Sequence, residues 1–174
     1  MYGAKELAEG FRTVRKNTIQ LAEDIPADKY DFKAAPDVKS VGGMLAHLAV
    51  SPRWQVAMHD DRVTSVDFAS FGTRLAQAAA EEQALQTKEQ IIAALEQGGD
   101  QFVTFVSRLT PDVLAEHVTF PPPVQPSRKT RFEMILGVKE HEMHHRGQLM
   151  LIQRILGIVP HLTRQREARA AARA

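Results

Sequence analysis

The chain has 174 residues, a length that fits one domain with a sizeable core. Its formal net charge of +1 gives no electrostatic reason to expect a nucleic-acid partner. Aromatic residues make up only 6% of the chain, and the abundance of Ala, Leu, Gln and Glu favours helix over sheet.

The absence of cysteine excludes disulfides, a thiolate metal site and a cysteine nucleophile of the chain's own. Any metal would therefore be bound by nitrogen and oxygen ligands. The first residues lack the apolar stretch of a secretory signal, and no window approaches the roughly 20 apolar residues that a membrane-spanning helix needs. We therefore expect a cytoplasmic protein without a membrane partner.

The first helix is predicted over residues 3–25. Apolar side chains recur there at steps of three and four, which is typical of an amphipathic helix. Pro26 ends this helix, and residues 26–39, which contain two prolines, form a connecting loop.

A second helix is predicted from Ser40, a suitable N-cap, to about Met58. Pro52 lies inside it. Proline lacks a backbone donor and clashes with the carbonyl four residues earlier, here that of Leu48. The sequence therefore predicts either a kink at this point or a restart of the helix at Ser51.

Residues 59–86 give the weakest pattern in the chain. Residues 68–85 are rich in Ala and Gln and are expected to be helical in part, so this connection is long enough for a crossover. Thr87 with Gln90 forms a capping-box pattern for a third helix, which extends to about Leu109.

The last long helix follows a proline-rich surface connection at residues 117–130, in which residues 117–120 are a candidate extended segment. Thr130 with Glu133 forms a second capping-box pattern. The helix then continues to about Leu156.

Four long helices joined by loops predict an all-α fold, a four-helix bundle with a long crossover connection. The bundle is expected to form a single domain over residues 1–160. Residues 161–174 are basic and rich in Ala and Arg, and we expect them to form a solvated tail or a frayed helix.

Histidines in the last helix predict a metal site. The sequence HEMHHRGQ at residues 141–148 places His141 and His145 four residues apart, on one face of the helix. That face also carries the residues expected to point into the bundle, namely Met134, Val138, Leu149, Ile152 and Leu156. Buried imidazoles need partners for their nitrogens, and two imidazoles at this spacing can share a metal ion. The alternative is a pair that is satisfied at the helix surface.

A third ligand should come from another helix, and His47 is the best candidate because it lies on an apolar face of the second helix. Three histidines leave positions open for water or substrate, and nitrogen ligands suit Zn, Ni, Fe or Cu. His144 lies on the flank of the stripe, where it is either a helix-boundary residue or a substrate contact. Gln148 is expected to hydrogen-bond a bound water or substrate. The remaining histidines are weaker candidates: His59, His117 and His161.

Two segments, ADKYDFKAAPDVKSVGGMLAHL at residues 27–48 and HEMHHRGQLMLIQRILG at residues 141–157, resemble the DinB family of damage-inducible, YfiT-like candidate metalloenzymes. The resemblance extends from about Leu7 to Pro160. It implies a four-helix bundle with a long crossover, often a homodimer, and a divalent metal on a histidine triad at His47, His141 and His145. Similar proteins carry out transfer or isomerisation reactions with low-molecular-weight thiols such as bacillithiol or mycothiol.

The motif HEMHH also matches the H-E-x-x-H pattern of zinc proteases, in which Glu142 would be the general base. Such a protease takes its third ligand downstream of the motif. The only histidine downstream is His161, which lies beyond the end of the helix, so the sequence disfavours this alternative.

The function predicted from the sequence is that of a divalent-metal-binding protein, with Zn or Ni as the expected metal and a small molecule as the substrate. As an enzyme it would be a hydrolase- or transferase-like, thiol-dependent S-transferase or isomerase, and the thiol would come from outside the chain. The alternatives are a non-catalytic metal-dependent binding or stress-response protein and a bundle with a vestigial site.

A partner surface is also indicated. Four apolar residues recur on the back of the last helix, namely Phe132, Leu136, Met143 and Met150. Both faces of this helix are thus partly apolar, which suits a helix that is buried on two sides. Neighbouring helices or a second copy of the chain, in a homodimer, would cover the second face.

Overall fold

Helices account for most of residues 2–173, the part of the chain that this computed structural model describes. They are α1 (Ala4–Asp24), α2 (Val41–Asp60), α3 (Phe68–Ala84), α4 (Lys88–Val106), α5 (Pro111–Ala115), α6 (Arg131–Ile155) and α7 (His161–Ala171). Two short antiparallel strands, β1 (His117–Thr119) and β2 (Arg128–Thr130), form a hairpin before α6. Among the helices of this range, none combines the length and the apolar character needed to cross a membrane.

The four longest packed helices, α1, α2, α4 and α6, form the bundle. Both α1 and α2 contact α4 and α6. Helix α3 lies in the long connection between α2 and α4, packs against α2 and buries none of its own residues. The predicted all-α four-helix bundle with a long crossover is therefore confirmed.

Side-chain caps begin three of these helices at the residues that the sequence indicates. Ser40 Oγ accepts a hydrogen bond from a backbone N–H of the first turn of α2 at 3.1 Å. Thr87 with Gln90 and Thr130 with Glu133 both form reciprocal capping boxes. Each cap satisfies donors that the helix cannot, a contribution of about 1 kcal/mol.

Helix α2 continues through Pro52 as one element and does not restart there. Because proline has no N–H, the carbonyl of Leu48 loses its usual helical donor. On the neighbouring helix α4, a Cβ at Gly98 would lie 2.7 Å from the carbonyl oxygen of Ala49. Glycine at this position therefore lets α2 and α4 approach closely.

The back of α6 is covered largely by the chain itself. Phe132 and Leu136 pack against one hydrophobic cluster and Met150 against another, which leaves only Met143 of the predicted set exposed. Neighbouring elements of the same chain therefore cover three of these four residues. The large apolar side chains that remain exposed on α6 form a different stripe, made of Met143, Leu151 and Ile155.

The basic tail begins with α7, whose first residues contact α1. His161, the first residue of α7, is buried, and one of its ring nitrogens lies 3.2 Å from the side-chain oxygen of Asn17. Arg164 forms an ion pair with Asp24 at 2.8 Å. These two contacts anchor the start of α7 to α1, whereas the later arginines are exposed.

Candidate metal centre

Three histidines from α2 and α6 converge at one side of the bundle. His141 Nε2 lies 3.1 Å from His47 Nε2 and 3.2 Å from His145 Nε2. One candidate ligand nitrogen from each ring lies within 4.8 Å of the others. The structure thus brings together the three histidines named from the sequence, although the rings are half-buried at the rim of the bundle rather than enclosed in its core.

Hydrogen bonds on the far side of two rings fix where their lone pairs point. His47 Nδ1 lies 2.7 Å from Glu82 Oε1, and His145 Nδ1 lies 2.8 Å from Gln148 Oε1. Since a carboxylate or amide oxygen can only accept, each Nδ1 carries the proton, and each Nε2 then presents a lone pair. His141 Nε2 carries at most one proton, so it can donate a hydrogen bond to Nε2 of His47 or of His145, but not to both.

The arrangement suits a cation. Nitrogen ligands around a tetrahedral zinc ion lie about 3.3–3.4 Å apart, given zinc–nitrogen distances of about 2.0–2.1 Å. The Nε2 distances of 3.1 Å and 3.2 Å are close to this spacing. The three residues could therefore hold a divalent metal ion with little movement.

Burial keeps two of the rings neutral. Burial, with smaller contributions from the nearby rings of His145 and His47, lowers the pKa of His141 to about 4. Burial also lowers the pKa of His145, an effect that the hydrogen bond it donates to Gln148 partly offsets. Both imidazoles are therefore uncharged at pH 7, the form that binds a metal.

Glu82 is a site residue that the sequence did not reveal. It lies near the end of α3, and its side chain bonds Lys39 at 2.7 Å as well as His47. Burial opposes its ionisation, but the hydrogen bonds from Lys39 and His47 outweigh this, so the pKa of Glu82 is lowered. The sequence gives no sign of this role, because only the packing of α3 on α2 brings Glu82 to His47.

The other polar residues of the motif have different places from those expected for a protease. Glu142 is 1% exposed and faces Arg15 inside the bundle, so it is not placed to act as a general base beside the triad. His144 is exposed and lies 3.3 Å from Gln148 Nε2. Gln148 itself bridges the two neighbouring histidines: its oxygen accepts from His145, and its nitrogen faces the ring of His144.

The weaker histidine candidates lie apart from the triad. His59 is buried, and its Nδ1 lies 3.0 Å from the guanidinium of Arg131. His117 pairs with Arg128 in the β-hairpin, and His161 contacts α1. Among the histidines of residues 2–173, His47 is therefore the one that joins His141 and His145 in the group.

A cleft of about 410 Å³ opens beside the triad. Its lining includes two of the three histidines, His47 and His141. Apolar side chains from α2, α6 and the segment after β1 form much of the remaining wall, namely Trp54, Phe120, Met134 and Val138. A ligand in this cleft would contact the imidazoles directly.

These features define a helical bundle with a three-histidine cluster at the edge of a partly apolar cleft. The chain belongs to the DinB superfamily, whose family model matches residues 11–149. The resemblance inferred from the two sequence segments is thereby confirmed. No match is found among curated protein sequences.

Solved structures with the same fold include a DinB-like protein from Bacillus subtilis. It shares 20% sequence identity with this chain at a TM-score of 0.63, over 87% of this chain and 92% of that one. Another is the colibactin self-resistance protein ClbS in complex with double-stranded DNA, at 16% identity and a TM-score of 0.66, over 88% of this chain and 97% of ClbS. At these identities the comparisons establish the fold.

Proposed function

We propose that the chain binds one divalent metal ion through His47, His141 and His145. The observation that carries this proposal is the convergence of three ring nitrogens within 4.8 Å, two of them with their outer nitrogens held by Glu82 and Gln148. Partners of this kind fix the ring tautomer and orientation in metal sites and strengthen the ligand. With three nitrogen ligands and open positions for water or substrate, Zn or Ni is the expected metal.

The cleft beside the triad is the proposed site for a small-molecule substrate. Its apolar wall, which includes Trp54 and Met134, would exclude water from a bound ligand. Gln55 Oε1 is buried and has no hydrogen-bond partner within the described part of the chain, so it is available to accept from a ligand N–H or O–H. Lys129, which also lines the cleft, can pair with an anionic group.

Within this site we propose a thiol-dependent S-transferase or isomerase activity. A bound divalent metal supplies Lewis acidity that favours the thiolate form of a thiol. Since the chain has no cysteine, the thiol must be a separate small molecule. In a transfer, its sulfur bonds to an electrophilic carbon, the leaving group departs with the bonding electron pair, and the thiol proton passes to solvent. The thiol reactions of similar proteins support this assignment.

Metal analysis tests the first part of the proposal. Protein purified without an affinity tag should contain about one Zn or Ni ion per chain, because the three histidines form a single set of ligands. His145→Ala should reduce the occupancy sharply. His144→Ala is the matched control, because His144 directly precedes His145 in α6 but lies outside the triad. Full occupancy in His145→Ala would exclude this triad as the metal site.

An assay of thiol consumption separates an enzyme from a non-catalytic binding or stress-response protein. Metal-loaded and chelated protein would be incubated with several low-molecular-weight thiols and a set of electrophiles. We expect metal-dependent loss of thiol with at least one pair. If metal-loaded protein consumes none of these thiols, the non-catalytic alternative is favoured and the transferase proposal fails.

A homodimer is the proposed assembly. The exposed stripe of Met143, Leu151 and Ile155 on α6 supports it, because such apolar residues gain by leaving water. Sedimentation at micromolar protein concentration should give twice the mass of the chain. A single species of monomer mass would refute the assembly without affecting the metal proposal.

Nucleic acid is not expected as a partner. The DNA complex is a property of ClbS, and the net charge of this chain is only +1. We expect no saturable binding of a labelled DNA duplex in fluorescence anisotropy at roughly 0.15 M salt. A saturable curve that weakens as salt is raised would overturn this expectation.

A further inference from the structure

Arg15 of α1 connects all four helices of the bundle although it is only 3% exposed. Its Nε and Nη2 donate to the carboxylate of Glu142 on α6, at 2.8–3.1 Å. A second bond from Nη2 reaches the carbonyl of Leu48 on α2 at 2.8 Å. Nη1 donates to the carbonyl of Leu95 on α4 at 2.7 Å. One guanidinium therefore holds fixed points on three other helices.

Three features of the sequence fit the position of Arg15. Pro52 leaves the carbonyl of Leu48 without its helical donor, and Arg15 supplies one. A Cβ at Gly99 would lie 2.8 Å from Cγ of Arg15, so glycine there makes room for the arginine. The glutamate of the HEMHH motif is the carboxylate that neutralises the buried charge.

Two of the residues that Arg15 bonds lie next to proposed metal ligands in the chain. Leu48 follows His47 in the chain, and Glu142 follows His141. We propose that Arg15 is a positioning residue for the metal site, which sets α2 and α6 relative to each other and thereby the distance between these two imidazoles. The inference rests on the proposed metal binding, since Arg15 itself lies outside the triad.

The energetics of buried ion pairs favour a positional role over a purely stabilising one. Desolvation of both charges offsets most of their attraction, and well-packed apolar replacements of such pairs are often neutral or stabilising. A guanidinium with five directed hydrogen bonds, by contrast, specifies orientation, which an apolar contact does not. Stability and metal-site geometry should therefore respond differently when the pair is replaced.

The test compares wild type with the double variant Arg15→Met/Glu142→Leu, which removes both charges together. The readouts are the thermal unfolding midpoint of metal-free protein, the affinity for Co(II) and the visible absorption spectrum of bound Co(II). We expect a midpoint within a few degrees of wild type, but Co(II) binding at least tenfold weaker and a changed spectrum. Arg12→Met, one turn earlier on α1 and exposed, is the matched control and should match wild type in all three.

Binding within twofold of wild type and an unchanged spectrum in the folded double variant would overturn the inference and leave the metal proposal standing. Absence of Co(II) binding by wild type would instead refute the metal proposal, and the inference with it. If the double variant does not fold, Glu142→Gln and Arg15→Lys decide, because each keeps the volume and part of the bonding. Wild-type affinity in both would overturn the inference.

Discussion

The hydrogen bond between Glu82 and His47 allows a quantitative prediction about metal affinity. Glu82 Oε1 lies 2.7 Å from His47 Nδ1, and the Glu82 side chain is only 14% exposed, so the charge is weakly screened. Loss of such a partner of a metal-binding histidine typically lowers metal affinity by about 10–100-fold. Glu82→Gln retains an acceptor oxygen but loses the charge, and we expect affinity to fall about tenfold, or about 1.4 kcal/mol. Glu82→Ala removes both, and the loss should approach the hundredfold limit.

Competition titrations with a chromophoric zinc chelator would measure these affinities. Glu81→Gln is the matched control, because Glu81 is the preceding residue of α3, faces Arg53 and lies outside the triad. It should bind the metal as wild type does. Affinity within twofold of wild type in Glu82→Ala would show that this carboxylate does not support the site.

Three further predictions concern stability and assembly. Burial, with the nearby Arg131 charge, lowers the pKa of His59 from 6.5 to about 4. The unfolded state then binds more protons between these pH values, so the free energy of unfolding should fall by up to about 3 kcal/mol between pH 7 and pH 4, measured by urea titration. Gly99→Ala should destabilise by about 1–3 kcal/mol, since the new methyl would meet the Arg15 side chain. Leu151→Glu should convert the proposed dimer to a monomer in sedimentation, because this side chain is 61% exposed and belongs to the apolar stripe of α6.

Each of these has its own control. His59→Gln should show a smaller loss of stability at low pH than wild type, and an equal loss would assign the effect to other groups. Gly147→Ala places a methyl in open space on α6 and should be neutral or slightly stabilising. If it costs as much as Gly99→Ala, the steric reason is wrong. A dimer that persists in Leu151→Glu would move the interface elsewhere.

Features that depend on neighbours in sequence could be read from the sequence. The starts of α2, α4 and α6 follow from Ser40, Thr87 and Thr130, because a cap bonds a backbone group only two or three residues away. The face shared by His141 and His145 follows from helical periodicity. His47 could also be selected from the sequence as the third candidate ligand, because it lies on an apolar helix face and two other histidines are expected to point into the same bundle.

Contacts between distant residues were decided only by the tertiary structure. Glu82 and His47 are 35 residues apart and Arg15 and Glu142 are 127 apart, and neither pair has a local pattern. The sequence alone made Glu142 a candidate general base, Gln148 a substrate contact and residues 161–174 a solvated tail. Packing set Glu142 against Arg15, tied Gln148 to His145 and anchored the start of α7 to α1. The direction a side chain takes relative to another helix depends on how the helices are set against each other. Periodicity thus determined which residues share a face, and the arrangement of the bundle determined what each face meets.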